Sequence, residues 1–185
     1  MRARLASRNE HKLTELRSAL PGWELEPLDS DAYPPEQGAS YAENARAKAL
    51  FGRAAAPGEW VLGEDSGLEA DALGGRPGVE SARWAGGDHV GRLLDALAGA
   101  NDRRARYVCE LVCLSPGGDE ARARGELSGS IAEEPRGSEG FGFDPVFVPE
   151  GETRTVGELG NAWKAENSHR ARAARALLEA LGRIG

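Results

Sequence analysis

Apolar residues recur along this chain with two different periods, and the changes of period divide it into elements. The run "ARLAS" (residues 3–7) suits a short strand, while in "NEHKLTELRSALPG" (9–22) Leu13, Leu16 and Leu20 fall at helical spacing between a capping Asn9 and the Pro21-Gly22 stop. "WELEPL" (23–28) reads as a second strand, and "SDAYPPEQGAS" (30–40) is too rich in Pro, Gly and Ser for regular structure. Good helix formers follow in 41–56, with Ser40 and Glu43 in capping-box positions and Pro57-Gly58 as the stop. "EWVLGEDSGLEA" (59–70) predicts a strand that ends after Trp60, Val61 and Leu62 and opens into a glycine turn.

Downstream, 78–100 closes in a helix that turns Val90, Leu93, Leu94 and Leu97 inward. "RARYVCELVCLS" (104–115) and "ARARGELSGSIAE" (121–133) flank "PGGDE" as a hairpin, and "GFGFDPVFVPEG" (140–151) is a glycine-loosened loop feeding a short strand. The last element, 165–185, is a helix with Leu177, Leu178 and Leu181 facing in. Strands alternate with helices in the first half and pair as a hairpin in the second, which predicts one α/β domain over 1–185 with a mixed sheet.

Composition agrees with that picture. At 185 residues, 40% hydrophobic and 29% charged, the chain is an ordinary globular one. No apolar stretch approaches the roughly 20 residues of a membrane span. The start, "MRARLASRNEHKL", carries basic residues but no apolar run of about 7 behind them, so no secretory signal is expected and a cytoplasmic location is. The net charge of −7 argues against binding a nucleic-acid polymer, yet leaves room for a small anionic substrate met by local cations or a metal. Cys109 and Cys113 share one face of their strand with Tyr107 and Leu111 and read as buried thiols.

The candidate chemistry begins with carboxylates. Glu64 and Asp65, with Glu36 upstream and Glu69 and Asp71 downstream, would repel one another unless solvated or bridged by a cation. Ligands of open α/β sheets gather at the C-terminal ends of strands, where Glu64 and Asp65 are expected, and hard oxygens with few neighbouring His or Cys suit Mg²⁺. His169 and Arg170 fall in the first turn of the last helix, and His11 and Lys12 at the start of the first. A helix start carrying cations is an anion site. Asn44 and Lys48 form an i,i+4 pair that either reaches the same cleft or is a solvated stripe. In "GFGFDP" the glycines let a backbone approach a flat ligand and Phe141 can stack on a base, while Phe143 and Phe147 read as core. No P-loop, G-x-G-x-x-G, H-E-x-x-H or G-x-S-x-G occurs, so phosphate binding has to be assembled from scattered pieces.

Those pieces, in this order, resemble the inosine and xanthosine triphosphate pyrophosphatase family. "SRNEHKLTEL" is similar to its phosphate loop, "SYAENARAKA" to its Glu-Asn-Ala-x-x-Lys-Ala helix, "EDSGLEADALGGRPGVESARWAG" to its Asp-Asp-Ser-Gly-Leu block, "GFGFDPVF" to its Phe-Gly-Tyr-Asp-Pro block, and "SHRARA" to its Ser-His-Arg signature. Arg8 stands for the usual glycine, Glu64 for the usual first Asp and Ser7 for the usual Thr. The resemblance implies a mixed twisted sheet flanked by helices and bent into two lobes with the site in the cleft between them, and a homodimer. It implies hydrolysis of ITP, dITP and XTP to the monophosphate and pyrophosphate, with Mg²⁺ as cofactor. Asp65 is then the catalytic carboxylate and a metal contact, with Glu36 and Glu64 helping to hold the metal. The triphosphate falls to the loop Ser7, Arg8, Asn9, Glu10, His11 and Lys12, with Lys48 and Ser66; Phe141, Gly142, Phe143, Asp144, Lys164, His169 and Arg170 surround the base. Two rivals are a non-catalytic, Mg-dependent nucleotide-binding module and a metal-independent hydrolase using Ser66 as nucleophile.

Overall fold

A computed structural model describes residues 1–30, 32–33, 35–84 and 86–182. Asp31 and Pro34 in the expected irregular stretch, Ala85, and residues 183–185 at the end of the last expected helix lie outside them. The elements run β1 (Arg2–Leu5), α1 (Glu10–Ala19), β2 (Glu24–Pro27), α2 (Tyr41–Ala55), β3 (Trp60–Ala70), α3 (His89–Ala96), β4 (Arg104–Leu114), β5 (Glu120–Ile131), β6 (Phe147–Pro149), α4 (Val156–Asn167) and α5 (His169–Leu181), with 3-10 turns at Asp71–Leu73 and Gly78–Arg83. The six strands form one sheet in the order β2-β1-β3-β4-β5-β6. β1 is parallel to both β2 and β3, and β6 is antiparallel to β5, so the sheet is mixed. Among the described residues, no helix is long and apolar enough to cross a membrane.

Three expectations need correction. β3 does not end at Leu62 but continues without a break to Ala70, so Glu64 and Asp65 lie inside a strand rather than at a turn. Its glycines serve close packing there: a Cβ on Gly63 would fall on the Ala45 carbonyl oxygen and the Ala49 nitrogen of α2. Secondly, α4 went unpredicted. Gly157 and Gly160 hide it, although Thr155 and Glu158 form a full capping box, with Glu158 N–H on Thr155 Oγ1 (3.2 Å) and Thr155 N–H on the Glu158 carboxylate (2.8 Å). Gly160, at φ 85°, kinks the helix, a backbone state that glycine adopts without strain. Thirdly, Ser40 caps α2 through the Glu43 N–H, but the Glu43 carboxylate accepts from Ala39 N–H instead of closing a box on Ser40.

The residues sort into two compact units. The first comprises Met1–Asp65, Cys109–Gly125 and Arg170–Gly185. Here the chain travels one way across the sheet from β1 to β2 and the other way from β2 to β3, so right-handed crossovers put α1 and α2 on opposite faces. Side-chain packing agrees. Leu13 and Leu16 of α1 and Ala173, Ala174 and Leu177 of α5 pack with Leu5, Leu62, Cys109, Leu111 and Cys113, whereas Ala45 and Ala49 of α2 pack with Val112 and Leu114. Cys109 and Cys113 are buried free thiols, as expected.

The second unit comprises Ser66–Val108 and Glu126–His169. Leu68, Leu93, Leu97, Tyr107, Leu127, Ile131, Phe143, Val146 and Phe147 form its core, with Val90 and Leu94 packed against them.

Candidate active site

Parallel pairing of β1 with β3 stops at Leu5 and Leu62, so Glu64 and Asp65 project past the C-terminal end of β1, beside the loop that leads into α1. This is the point where the chain's course across the sheet reverses, the usual ligand position of an open α/β sheet. The expectation of a strand end therefore holds for β1 and not for β3.

Consecutive strand residues face opposite ways, and each carboxylate meets the helix on its own side. On the α1/α5 side, Glu64 has no exposed surface and pairs with Lys12 Nζ at 2.7 Å and Arg170 Nε at 3.1 Å, while the Cys109 thiol donates to Oε1 at 3.7 Å. Glu15 holds the Arg170 guanidinium from the other side at 2.8 Å. Burial pushes the Glu64 carboxyl upward, but Lys12, Arg170 and Lys48 outweigh it and hold the group well below the usual range. Burial works against the Arg170 charge, and Glu64 and Glu15 reverse that and raise its proton affinity.

On the α2 side, Asp65 accepts from Asn44 Nδ2 at 3.0 Å and from Lys48 Nζ at 2.9 Å. The i,i+4 pair of α2 thus reaches the carboxylate and is no solvated stripe. The tight seat of α2 over Gly63 brings both side chains within reach. Lys48 also donates to the Glu64 carbonyl at 3.0 Å and pairs with Glu36 Oε1 at 2.5 Å. Burial raises the proton affinity of Asp65; Lys48 and Lys12 offset this only in part, and Glu64 adds to it. Burial alone would lower Lys48, but Asp65, Glu64 and Glu36 raise it.

The donor set fits a hard divalent ion better at Asp65 and Glu36 than at Glu64. Two carboxylates converge on one ammonium at Lys48, so the place already stabilises positive charge, whereas both oxygens of Glu64 are committed to Lys12 and Arg170. Among the described residues no three His, Cys, Asp or Glu side chains form a cage. Mg²⁺ has no need of one, since it commonly takes one or two carboxylates and completes its octahedron with water and substrate phosphates.

The loop into α1 is built as a capped helix start. Asn9 Oδ1 accepts from the N–H groups of His11 (3.0 Å) and Lys12 (3.2 Å), and Asn9 N–H donates to Ser7 Oγ at 3.2 Å. Arg8 is exposed and lies over the Tyr33 ring at 4.9 Å; Glu10 and His11 are exposed as well.

The second unit carries a separate polar group. Asp144 accepts from Tyr107 OH at 3.1 Å on one oxygen, and from Phe141 N–H at 2.7 Å and Lys164 Nζ at 2.6 Å on the other. Lys164 Nζ lies 4.6 Å from the centre of the half-buried Phe141 ring, and His169 stacks on Tyr107 at 4.6 Å with 12° between the planes. The kink at Gly160 restarts α4, with Glu139 capping Asn161 N–H at 2.9 Å, and Lys164 follows one turn later. Phe143 is buried in the core of the second unit rather than presented to a base, while Gly142 is exposed and Ser66 half-buried.

This arrangement has close counterparts. The sequence profile of the Ham1 family matches residues 3–180. The chain belongs to the Ham1 family. It is 45% identical over 183 residues to a protein of Gloeobacter violaceus named dITP/XTP pyrophosphatase, covering 97% of this chain and 93% of that one. Its fold matches the Ham1 protein of Staphylococcus aureus with a TM-score of 0.87 at 32% identity over 100% of both chains. It also matches a nucleoside-triphosphatase / dITP/XTP pyrophosphatase of Mycobacterium abscessus with a TM-score of 0.75 at 42% identity, covering 96% of this chain and 99% of that one. Within this Ham1-family chain, the residues expected at the metal and the triphosphate, Glu36, Glu64, Asp65, Lys12 and Lys48, lie together in the first unit. Arg170, expected at the base, is bound to Glu64 and Glu15 instead. Glu15, which holds the Arg170 guanidinium, is absent from the expected site residues. Glu15 had a signal, one turn after Lys12 on the same helix face.

Proposed function

We propose that this chain hydrolyses non-standard purine nucleoside triphosphates, ITP, dITP and XTP, to the monophosphate and pyrophosphate, with Mg²⁺ as cofactor. The observation that carries this reading is the Asp65 carboxylate, buried and lifted in proton affinity yet held by Asn44 and Lys48, in a chain whose relatives are named dITP/XTP pyrophosphatases. A carboxylate so held is suited to orient a water and take its proton as the water attacks the α-phosphorus. Lys12 and Lys48 supply positive charge for the phosphates and the leaving pyrophosphate. Glu36 and Asp65 are the residues that would hold Mg²⁺, which neutralises phosphate charge when bound. Glu64 belongs to this design as the buried counter-ion that fixes Lys12 and Arg170.

At the purine end, Lys164 and His169 offer donors. Hypoxanthine and xanthine present a 6-oxo acceptor to them, whereas the 6-amino group of adenine would leave buried donors facing a donor. A homodimer and a cytoplasmic location complete the reading. Pyrophosphate release from ITP, XTP, GTP and ATP, with and without EDTA, tests it. Fast release from ITP and XTP that EDTA abolishes is expected. ITP and Mg²⁺ binding without release would leave a binding module, release in EDTA a Ser66-type hydrolase, and equal rates with ATP and ITP would overturn the selectivity.

A further inference from the structure

Tyr107 belongs to no part of the machinery assigned so far, yet it touches two of its members. It is 7% exposed, on β4, with its ring tilted against Phe147 at 4.5 Å. Its hydroxyl donates to Asp144 Oδ1 at 3.1 Å, and its ring lies nearly parallel to the His169 imidazole at 4.6 Å and 12°. Asp144, itself 3% exposed, uses its other oxygen on Lys164 Nζ and on the Phe141 N–H. One tyrosine therefore anchors the carboxylate that seats Lys164 and Phe141, and also supports the face of His169.

Resting on the reading of Lys164 and His169 as purine readers, we propose that Tyr107 is a positioning residue for base selectivity. Its hydroxyl locks Asp144, and through it Lys164, in a donor-only arrangement suited to a 6-oxo purine. Buried aromatics with a polar tip need a partner for that tip, and a buried carboxylate oxygen needs a donor. Each satisfies the other here, so neither side chain is free to rotate. Loss of the hydroxyl leaves Asp144 Oδ1 to seek another donor, and Lys164 moves with the carboxylate. The ring makes a separable contribution, since Tyr107→Phe keeps the ring that stacks on His169 and removes the hydroxyl that donates to Asp144.

The test compares wild type with Tyr107→Phe, measuring kcat and KM for ITP and ATP, the affinity for inosine monophosphate by calorimetry, and Tm. For Tyr107→Phe we expect KM for ITP and the Kd for inosine monophosphate to rise roughly tenfold, the order of one charge-assisted hydrogen bond. The ITP-to-ATP ratio of kcat/KM falls and Tm drops by a few degrees, while kcat for ITP stays close to wild type. Unchanged KM and selectivity would overturn the proposal, as would a fall in kcat that is equal for both nucleotides at unchanged KM. Tyr107→Leu, which also removes the stack, should lose more inosine monophosphate affinity than Tyr107→Phe; equal losses would overturn the role of the ring. Absence of pyrophosphate release by wild type would sink the functional reading alone. The monophosphate titrations then still decide Tyr107, and equal Kd values in wild type and Tyr107→Phe would count against it.

Discussion

Glu64 and Asp65 are neighbours on β3 that answer to opposite faces of the sheet, Glu64 to Lys12 and Arg170 and Asp65 to Asn44 and Lys48. The pleat alone separates them, so two adjacent carboxylates of one strand acquire opposite proton affinities, Glu64 lowered and Asp65 raised. That division of labour, a permanently charged anchor beside a candidate base, is the pattern by which paired acids take different roles.

Asp65→Asn keeps the shape of the side chain and removes its basicity. We expect pyrophosphate release to fall by about 10² or more, the scale of general-base contributions, with little change in melting temperature. Retention of the parent rate would exclude Asp65 as the base.

Glu64→Gln probes the anchor. Removing one member of a buried ion pair costs about 3–5 kcal/mol, because Lys12 loses its Glu64 partner and Arg170 is left with Glu15. The pH dependence has a defined sign: the folded-state value of Glu64 lies below its ordinary 4.5, so its stabilisation is complete above that pH and is lost as pH falls through the folded value. Denaturant melts of wild type and Glu64→Gln should therefore converge below pH 4.5 and stay parallel above it. A gap that widens on acidification would contradict the pairing.

Gly63→Ala tests the seat of α2. The added methyl group meets the Ala45 and Ala49 backbone, which cannot rotate away, so overpacking should cost about 1–3 kcal/mol in a urea titration. Because α2 carries Asn44 and Lys48, activity should fall further than stability explains. A variant with parent activity and stability would show that β3 and α2 have room to spare.

Glu36→Gln addresses the cofactor. EDTA is expected to abolish activity and added Mg²⁺ to restore it. The variant should need roughly tenfold more Mg²⁺ for half-maximal rate, the equivalent of about 1.4 kcal/mol. An unchanged Mg²⁺ requirement would remove Glu36 from the metal site.

Periodicity and caps made most elements legible: Asn9 and the leucines that follow it mark α1, Ser40 marks the start of α2, and alternation through Tyr107, Cys109, Leu111 and Cys113 marks β4. Residue order also exposed the family resemblance, because reactive residue types at given spacings are written directly in the chain. What misled was glycine. In "GEDSG" it looked like a turn, yet Gly63 is a strand residue stripped of its side chain to admit a helix. In "TVGELGNAWK" Gly157 and Gly160 masked a helix that Thr155 and Glu158 had already announced.

By itself, then, the amino-acid order determined which chemical groups are present, where most segments coil or extend, and the order of motifs that marks the Ham1 family. Only the tertiary structure decided the pairing: that Arg170 meets Glu64 and Glu15, that Lys48 is shared by Asp65 and Glu36, and that Tyr107 backs both Asp144 and His169. The physical reason is separation along the chain. Local spacing fixes backbone shape through short-range sterics and hydrogen bonds, whereas the proton affinity of the buried Glu64 depends on a cation 106 residues away, and only packing chooses which cations arrive.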